Sequence, residues 1–175
     1  MSPLYLYLML LASIVIMATG QERIWTRMVS TSGNDIGRGV AVHPSTGDAY
    51  ATGIAQGALH GQPYAGGSDI ILMKYASNGT RLWTRIVGTS GNDEARGVAV
   101  HPSTGDVYVT GITVGTLHGQ PYAGLNDIIL IKYASNGTRV WTRMEGTSRH
   151  DEGYGVVVHP STGDVYATGY AQGAL

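Results

Sequence analysis

The chain has 175 residues, 43% of them hydrophobic and only 13% charged, with 26 glycines, 11 tyrosines, no cysteine and a formal net charge of −1. A near-neutral chain gives no electrostatic reason to expect nucleic acid or an anionic membrane as partner. Without cysteine there are no disulfides, so stability has to come from packing. Abundant glycine and tyrosine with sparse charge read as many short strands joined by tight turns.

Residues 1–20, MSPLYLYLMLLASIVIMATG, carry no charged side chain and hold an apolar run from Leu4 to Met17. The run is shorter than the roughly 20 residues of a membrane span, and small residues stand at Ala18 and Gly20. That pattern predicts a secretory leader cut before Gln21 and a secreted, extracellular protein with no membrane insertion after cleavage. An uncleaved anchor that keeps the protein on the membrane is the alternative. The lack of Lys or Arg before the apolar run is atypical for a secretory leader.

Beyond the leader the chain repeats. Trp25, Trp83 and Trp141 mark a period of 58 residues, and the segments 25–82 and 83–140 differ at only 13 of 58 positions. A third, partial copy occupies 141–175. Repeats of this length signal a modular array in which each unit buries its apolar faces against its neighbours.

Each repeat reads as four strands. In the second, Gly97 to His101 is followed by the turn formers Pro102 to Asp106 and by Val107 to Gly111, a hairpin. Asp127 to Tyr133, DIILIKY, shows no alternation, which predicts a strand covered on both faces. Arg139 to Met144 alternates, with Val140, Thr142 and Met144 on one side, and so predicts an edge strand. Asn136-Gly137 between these last two is the strongest short hairpin signal, because both central positions tolerate positive φ. Four antiparallel strands per repeat, with doubly buried inner strands, predict an all-β chain of β-propeller blades packed face to face. A β-solenoid fits less well, since its repeats are usually shorter and lack such hairpins.

The signatures W-T-R, G-T-S-G-N-D, G-V-A-V, G-D-V-Y-V-T-G, and D-I-I-L-I-K-Y followed by N-G-T-R-V-W resemble the SBBP-type β-propeller repeat, named for seven-bladed propellers. The resemblance covers Arg23 to Leu175 and implies the propeller fold and a secreted or cell-surface location. It implies no catalytic set. One departure is His43, His101 and His159, which stand before proline where members of the family more often have Asp. Two full repeats plus parts make an incomplete array, since a ring takes about four to eight blades. The expectation is a piece of a longer propeller, or a chain that self-associates through unclosed blades.

Loops after the fourth and second strands should emerge on one edge of the blade, and turns after the first and third on the other. The first edge carries the long segment Ile112 to Asn126, whose His118, Gln120 and Tyr122, with His60, Gln62 and Tyr64 of the first repeat, are the candidate ligand-binding residues. Asp35, Asp93 and Asp151 on the same edge are expected to accept backbone N–H groups within their own turns. On the opposite edge, His43, His101 and His159 read as structural turn residues rather than as metal ligands, because blade-related copies stand too far apart to share one ion. Asn78-Gly79-Thr80 and Asn136-Gly137-Thr138 are N-glycosylation sequons on exposed turns. No nucleophile elbow, zinc helix or phosphate loop is present, and no cofactor or metal is expected. Glu94 and Glu152 beside Asp93 and Asp151 leave a carboxylate-pair hydrolase or lyase acting on polysaccharide as an alternative. The function expected from the sequence is binding or adhesion to an extracellular glycan or protein, with that enzyme or a purely structural surface protein as the rivals.

Overall fold

A computed structural model describes residues 15–19 and 22–173. Among them the fold is all-β: β1 (Val15–Thr19), β2 (Glu22–Arg27), β3 (Ile36–Val42), β4 (Ala49–Ala55), β5 (Asp69–Tyr75), β6 (Arg81–Val87), β7 (Glu94–Val100), β8 (Val107–Thr113), β9 (Asp127–Tyr133), β10 (Arg139–Glu145), β11 (Asp151–Val158) and β12 (Val165–Ala171). Two antiparallel sheets hold four strands each, in the orders β3-β4-β5-β6 and β7-β8-β9-β10, and two further pairs, β1-β2 and β11-β12, flank them. No sheet closes on itself among the described residues. No helix among them is long and apolar enough to cross a membrane. Most of the expected leader lies outside the described residues; its segment Val15–Thr19 is β1, paired antiparallel with β2.

Neighbouring sheets stack through their first strands: β7 lies against β3, β4 and β5, and β11 against β7, β8 and β9. The doubly apolar third strand follows from this stacking. Ile70 and Leu72 of β5 join Val107, Val109, Ile129, Ile131 and Tyr133 in the core between the two full sheets. The alternate residues Ile71, Met73 and Tyr75 pack with Trp25 on the other side. Stripping water from both faces of these strands is the main stabilising term. The tryptophans tie each sheet to the next: Trp25 Nε1 donates to the Ser77 carbonyl at 2.8 Å, and Trp83 Nε1 to the Ser135 carbonyl at 3.2 Å. β2 thus stands toward the first sheet as β6 stands toward the second.

Three local expectations are corrected. The first strand of the second repeat begins at Glu94 rather than Gly97, because a register shift between Ala95 and Gly97 extends the pairing past a bulge. β9 is less covered than β5, with Ile128 and Leu130 half-buried, because only β11 and β12 lie on that side among the described residues. Val140 is 52% exposed rather than sharing the buried side with Thr142 and Met144, because a register shift between Arg139 and Trp141 bulges it outward. In the Asn-Gly turns only the glycine takes positive φ, +81° at Gly79 and +83° at Gly137. Gly79 N–H donates to Ala76 and Ala76 N–H to Thr80, both at 2.8 Å, and the second repeat copies this from Ala134 to Thr138.

Candidate functional site

The loop edge is built on three aspartates, of which Asp93 and Asp151 are buried and Asp35 is half-buried. Asp93 is fully buried, and its two oxygens accept from Thr89 N (2.6 Å), Thr89 Oγ1 (2.9 Å), Thr113 Oγ1 and Val114 N (3.2 Å). Asp151 accepts from Thr147 N, Thr147 Oγ1 and Gln172 N, and Asp35 from Thr31 and Gln56 N. Each carboxylate therefore knots the loop before its own sheet to the end of that sheet's second strand. With its acceptor sites filled in this way, Asp93 serves as a loop cap.

The long loop is pinned rather than displayed. Leu59–Gln62 forms a tight turn with positive φ at His60 (+52°) and Gly61 (+75°), closed by Gln62 N to Leu59 O at 2.9 Å; His118 (+53°) and Gly119 (+75°) repeat it. Left-handed backbone at a non-glycine residue persists where the surroundings fix it. Here the anchor is the imidazole. His60 Nδ1 lies 2.9 Å from Thr84 Oγ1 and His118 Nδ1 2.8 Å from Thr142 Oγ1, and both threonines are buried on the fourth strands. Burial, reinforced by Arg81 or Arg139 nearby, lowers both imidazole pKa values. Tyr64 donates to the Gly67 carbonyl and Tyr122 to the Leu125 carbonyl at 2.7 Å, closing the next stretch of loop. Gln62 and Gln120 are half-buried in the same turns. Of the six candidate binding residues, then, the two histidines and two tyrosines are already hydrogen-bonded to the fold.

Beneath Tyr64 the loop leaves a pocket of about 250 Å3 between Pro63, Tyr64 and Asp69 on one side and Ile86, Val87 and Gly88 on the other. Asp69, 1% exposed, is its one carboxylate. Its Oδ2 accepts from Ala65 N at 2.7 Å, while Oδ1 is buried with no partner. Oδ1 turns toward Gly88, where a Cβ would overlap it. Burial holds the Asp69 carboxyl above the usual carboxylate range; the Ala65 amide offsets part of this and the Asp93 charge adds to it. Asp127 repeats the arrangement, with Oδ2 on Ala123 N at 2.7 Å and Oδ1 unpartnered, but Glu145 there replaces Val87. Sequence reasoning missed Asp69 and Asp127. Their signal was a carboxylate opening a strand predicted to be buried on both faces.

At the opposite edge the histidines stand in for the side chain of an Asp. His43 Nδ1 accepts from Ser45 N and Thr46 N, both at 3.3 Å; His101 Nδ1 accepts from Ser103 N (3.1 Å) and Thr104 N (3.3 Å), and His159 Nδ1 from Thr162 N (3.1 Å). An aspartate oxygen makes the same bonds in an Asx turn. Asn78 and Asn136 are exposed at this edge, each Oδ1 accepting from the threonine N–H two residues on. Glu94 and Glu152 join a ladder across the first strands, in which Arg96 bridges both and Arg38 bonds Glu94 at 3.4 Å. The Arg96 hydrogen bond lowers the Glu152 pKa. Among the described residues, no group of three or more His, Asp or Glu side chains is placed to hold a metal ion.

No family model matches the chain. Over 125 residues, 67% of this chain, the sequence is 31% identical to the regulatory protein FlaEY of Caulobacter vibrioides. The chain spans 13% of the length of that relative.

Proposed function

We propose that the chain is a run of SBBP-like β-propeller blades acting as a binding module for a protein or glycan, with the ligand taken at the long-loop edge. The observation that carries the reading is the pocket under Tyr64, a concave apolar site with one buried carboxylate held on a rigid sheet. The repeated stacking of first strand on first strand, and the tryptophan bond carried from sheet to sheet, support blades arranged about an axis. Similarity to a stretch that makes up 13% of a longer regulatory protein supports a module that also occurs within longer chains. A second carboxylate does not line the pocket, and Glu94 and Glu152 are committed to arginine, so acid–base hydrolysis has less support than binding.

Secretion is proposed on the apolar leader alone, while the pairing of Val15–Thr19 with β2 favours a chain that keeps those residues. N-terminal sequencing of the mature protein decides between them. The test of function is a peptide and glycan array with mass spectrometry of the supernatant. Binding gives saturable retention with no new product, whereas an enzyme releases product, and a purely structural protein gives neither.

A further inference from the structure

We propose that the face of β11 and β12 takes a second copy of this chain head to tail, with β3 of that copy laid on β11. First strands stack in chain order, β7 on β3 and β11 on β7. Each of these contacts carries an ion pair at equivalent positions of the 58-residue repeat: Arg38 reaches Glu94 at 3.4 Å, and Arg96 reaches Glu152. The two outer positions of this ladder depart from it together. Tyr154 stands where Arg38 and Arg96 stand, and Ile36 stands where Glu94 and Glu152 stand. Tyr154 is 50% exposed and Ile36 38%. A β3 laid on β11 in the same way brings its Ile36 to Tyr154, so an apolar pair replaces the charged one. Within one copy β7 stands between β3 and β11, and the two residues can meet only between copies.

Backbone fit and exposure agree with this placement. A Cβ on Gly39 would stand 3.2 Å from the Arg96 carbonyl oxygen, and one on Gly97 2.9 Å from that of Tyr154, so these glycines let neighbouring first strands approach closely. Gly155 has only Thr168 of its own sheet nearby among the described residues, which leaves the same approach open. Tyr50 and Tyr108 are 0% and 5% exposed in sheets that have a following sheet, whereas Tyr166, at the equivalent position of β12, is 57% exposed. The β1–β2 pair adds an edge to the fit. Met17 pairs with Trp25 as Lys74 pairs with Trp83, so β1 and β2 hold the places of third and fourth strand, while β11 and β12 hold those of first and second. In a chain that keeps Val15–Thr19, the second copy therefore lays its β1 along the edge of β12.

Sedimentation equilibrium of the full chain tests this. The wild type is expected to reach the mass of two copies or more as concentration rises. Ile36→Glu and Tyr154→Arg alone should each weaken the association about tenfold, since each sets a charge against an apolar partner. The double variant, Ile36→Glu with Tyr154→Arg, should recover it to within about threefold, because it rebuilds between copies the pair that Arg38 and Glu94 make within one. Both substitutions lie at exposed positions and install the residue that a neighbouring repeat already carries there, so the fold is kept. A mass of one copy throughout, association indifferent to Ile36→Glu, or a double variant no better than the single ones would each overturn the proposal. Indifference to Ile36→Glu is the result that back-to-back pairing of β12 with β12 gives.

Discussion

The histidines of the long loop show how a residue type that suggests a ligand site can instead serve the fold. His60 and His118 hold left-handed backbone in place by reaching buried threonines 24 residues on. His118→Ala is expected to cost about 1 kcal/mol, measured by denaturant unfolding, since it removes one hydrogen bond and leaves Thr142 without that partner. Because both imidazole pKa values are lowered, this contribution is present above the ordinary imidazole value of about 6.5 and is lost as pH falls through the lowered one. Asp69 and Asp127 run the other way. Their carboxyls are raised, burial first, so the contribution is present below about pH 4 and lost as pH rises through the raised values. Thermal unfolding of the wild type and the Asp69→Asn, Asp127→Asn double variant across pH checks this. The wild type should gain on the variant as the solution is acidified, and parallel curves would count against it.

At the scale of elements, each hairpin of first and second strand rests on a glycine that permits a bulge. A Cβ on Gly53, Gly111 or Gly169 would overlap the carbonyl oxygen of Ile36, Glu94 or Glu152, one residue before the register shift in each pair. Gly111→Ala is therefore expected to destabilise by about 3 kcal/mol, the upper end of usual overpacking costs, because backbone rather than a mobile side chain must give way. Guanidinium unfolding measures it, and a loss within 0.5 kcal/mol, the size of an ordinary surface change, would contradict the reading. The strands themselves were legible in sequence because their period and turn formers are local properties. Bulges were not, since the outward turn of Val140 depends on pairing across β9 and β10. The carboxylate caps were half legible: Asp35, Asp93 and Asp151 follow from turn chemistry, whereas an unpaired oxygen on Asp69 appears only when Ala65 and Gly88 close around it. The sequence drew attention to the loop of His60 and Tyr64 but did not show that their side chains would bond back to Thr84 and to the Gly67 carbonyl.

At the scale of the whole molecule, the described residues cover the two middle sheets more fully than the pair β11-β12, in which β12 has β11 as its one partner strand among them. The second strands β4 and β8 are buried along their length, while β12 carries Tyr166 at 57% and Tyr170 at 46% exposure. An unpaired edge beside exposed aromatics favours association. Light scattering of this chain should show mass rising with concentration, and Tyr166→Lys with Tyr170→Lys should reduce it; a mass unchanged by the two substitutions would place the association elsewhere. The two edges of the stack also differ in chemistry, one holding the pocket and the other the histidine turns and sequons. Hydrogen exchange with a ligand retained from the array tests the central claim most directly. The account predicts protection gathered at residues 56–69 and 86–88, while protection centred on the turns at 43–47 and 76–80, or on the face of β11 and β12, would contradict it.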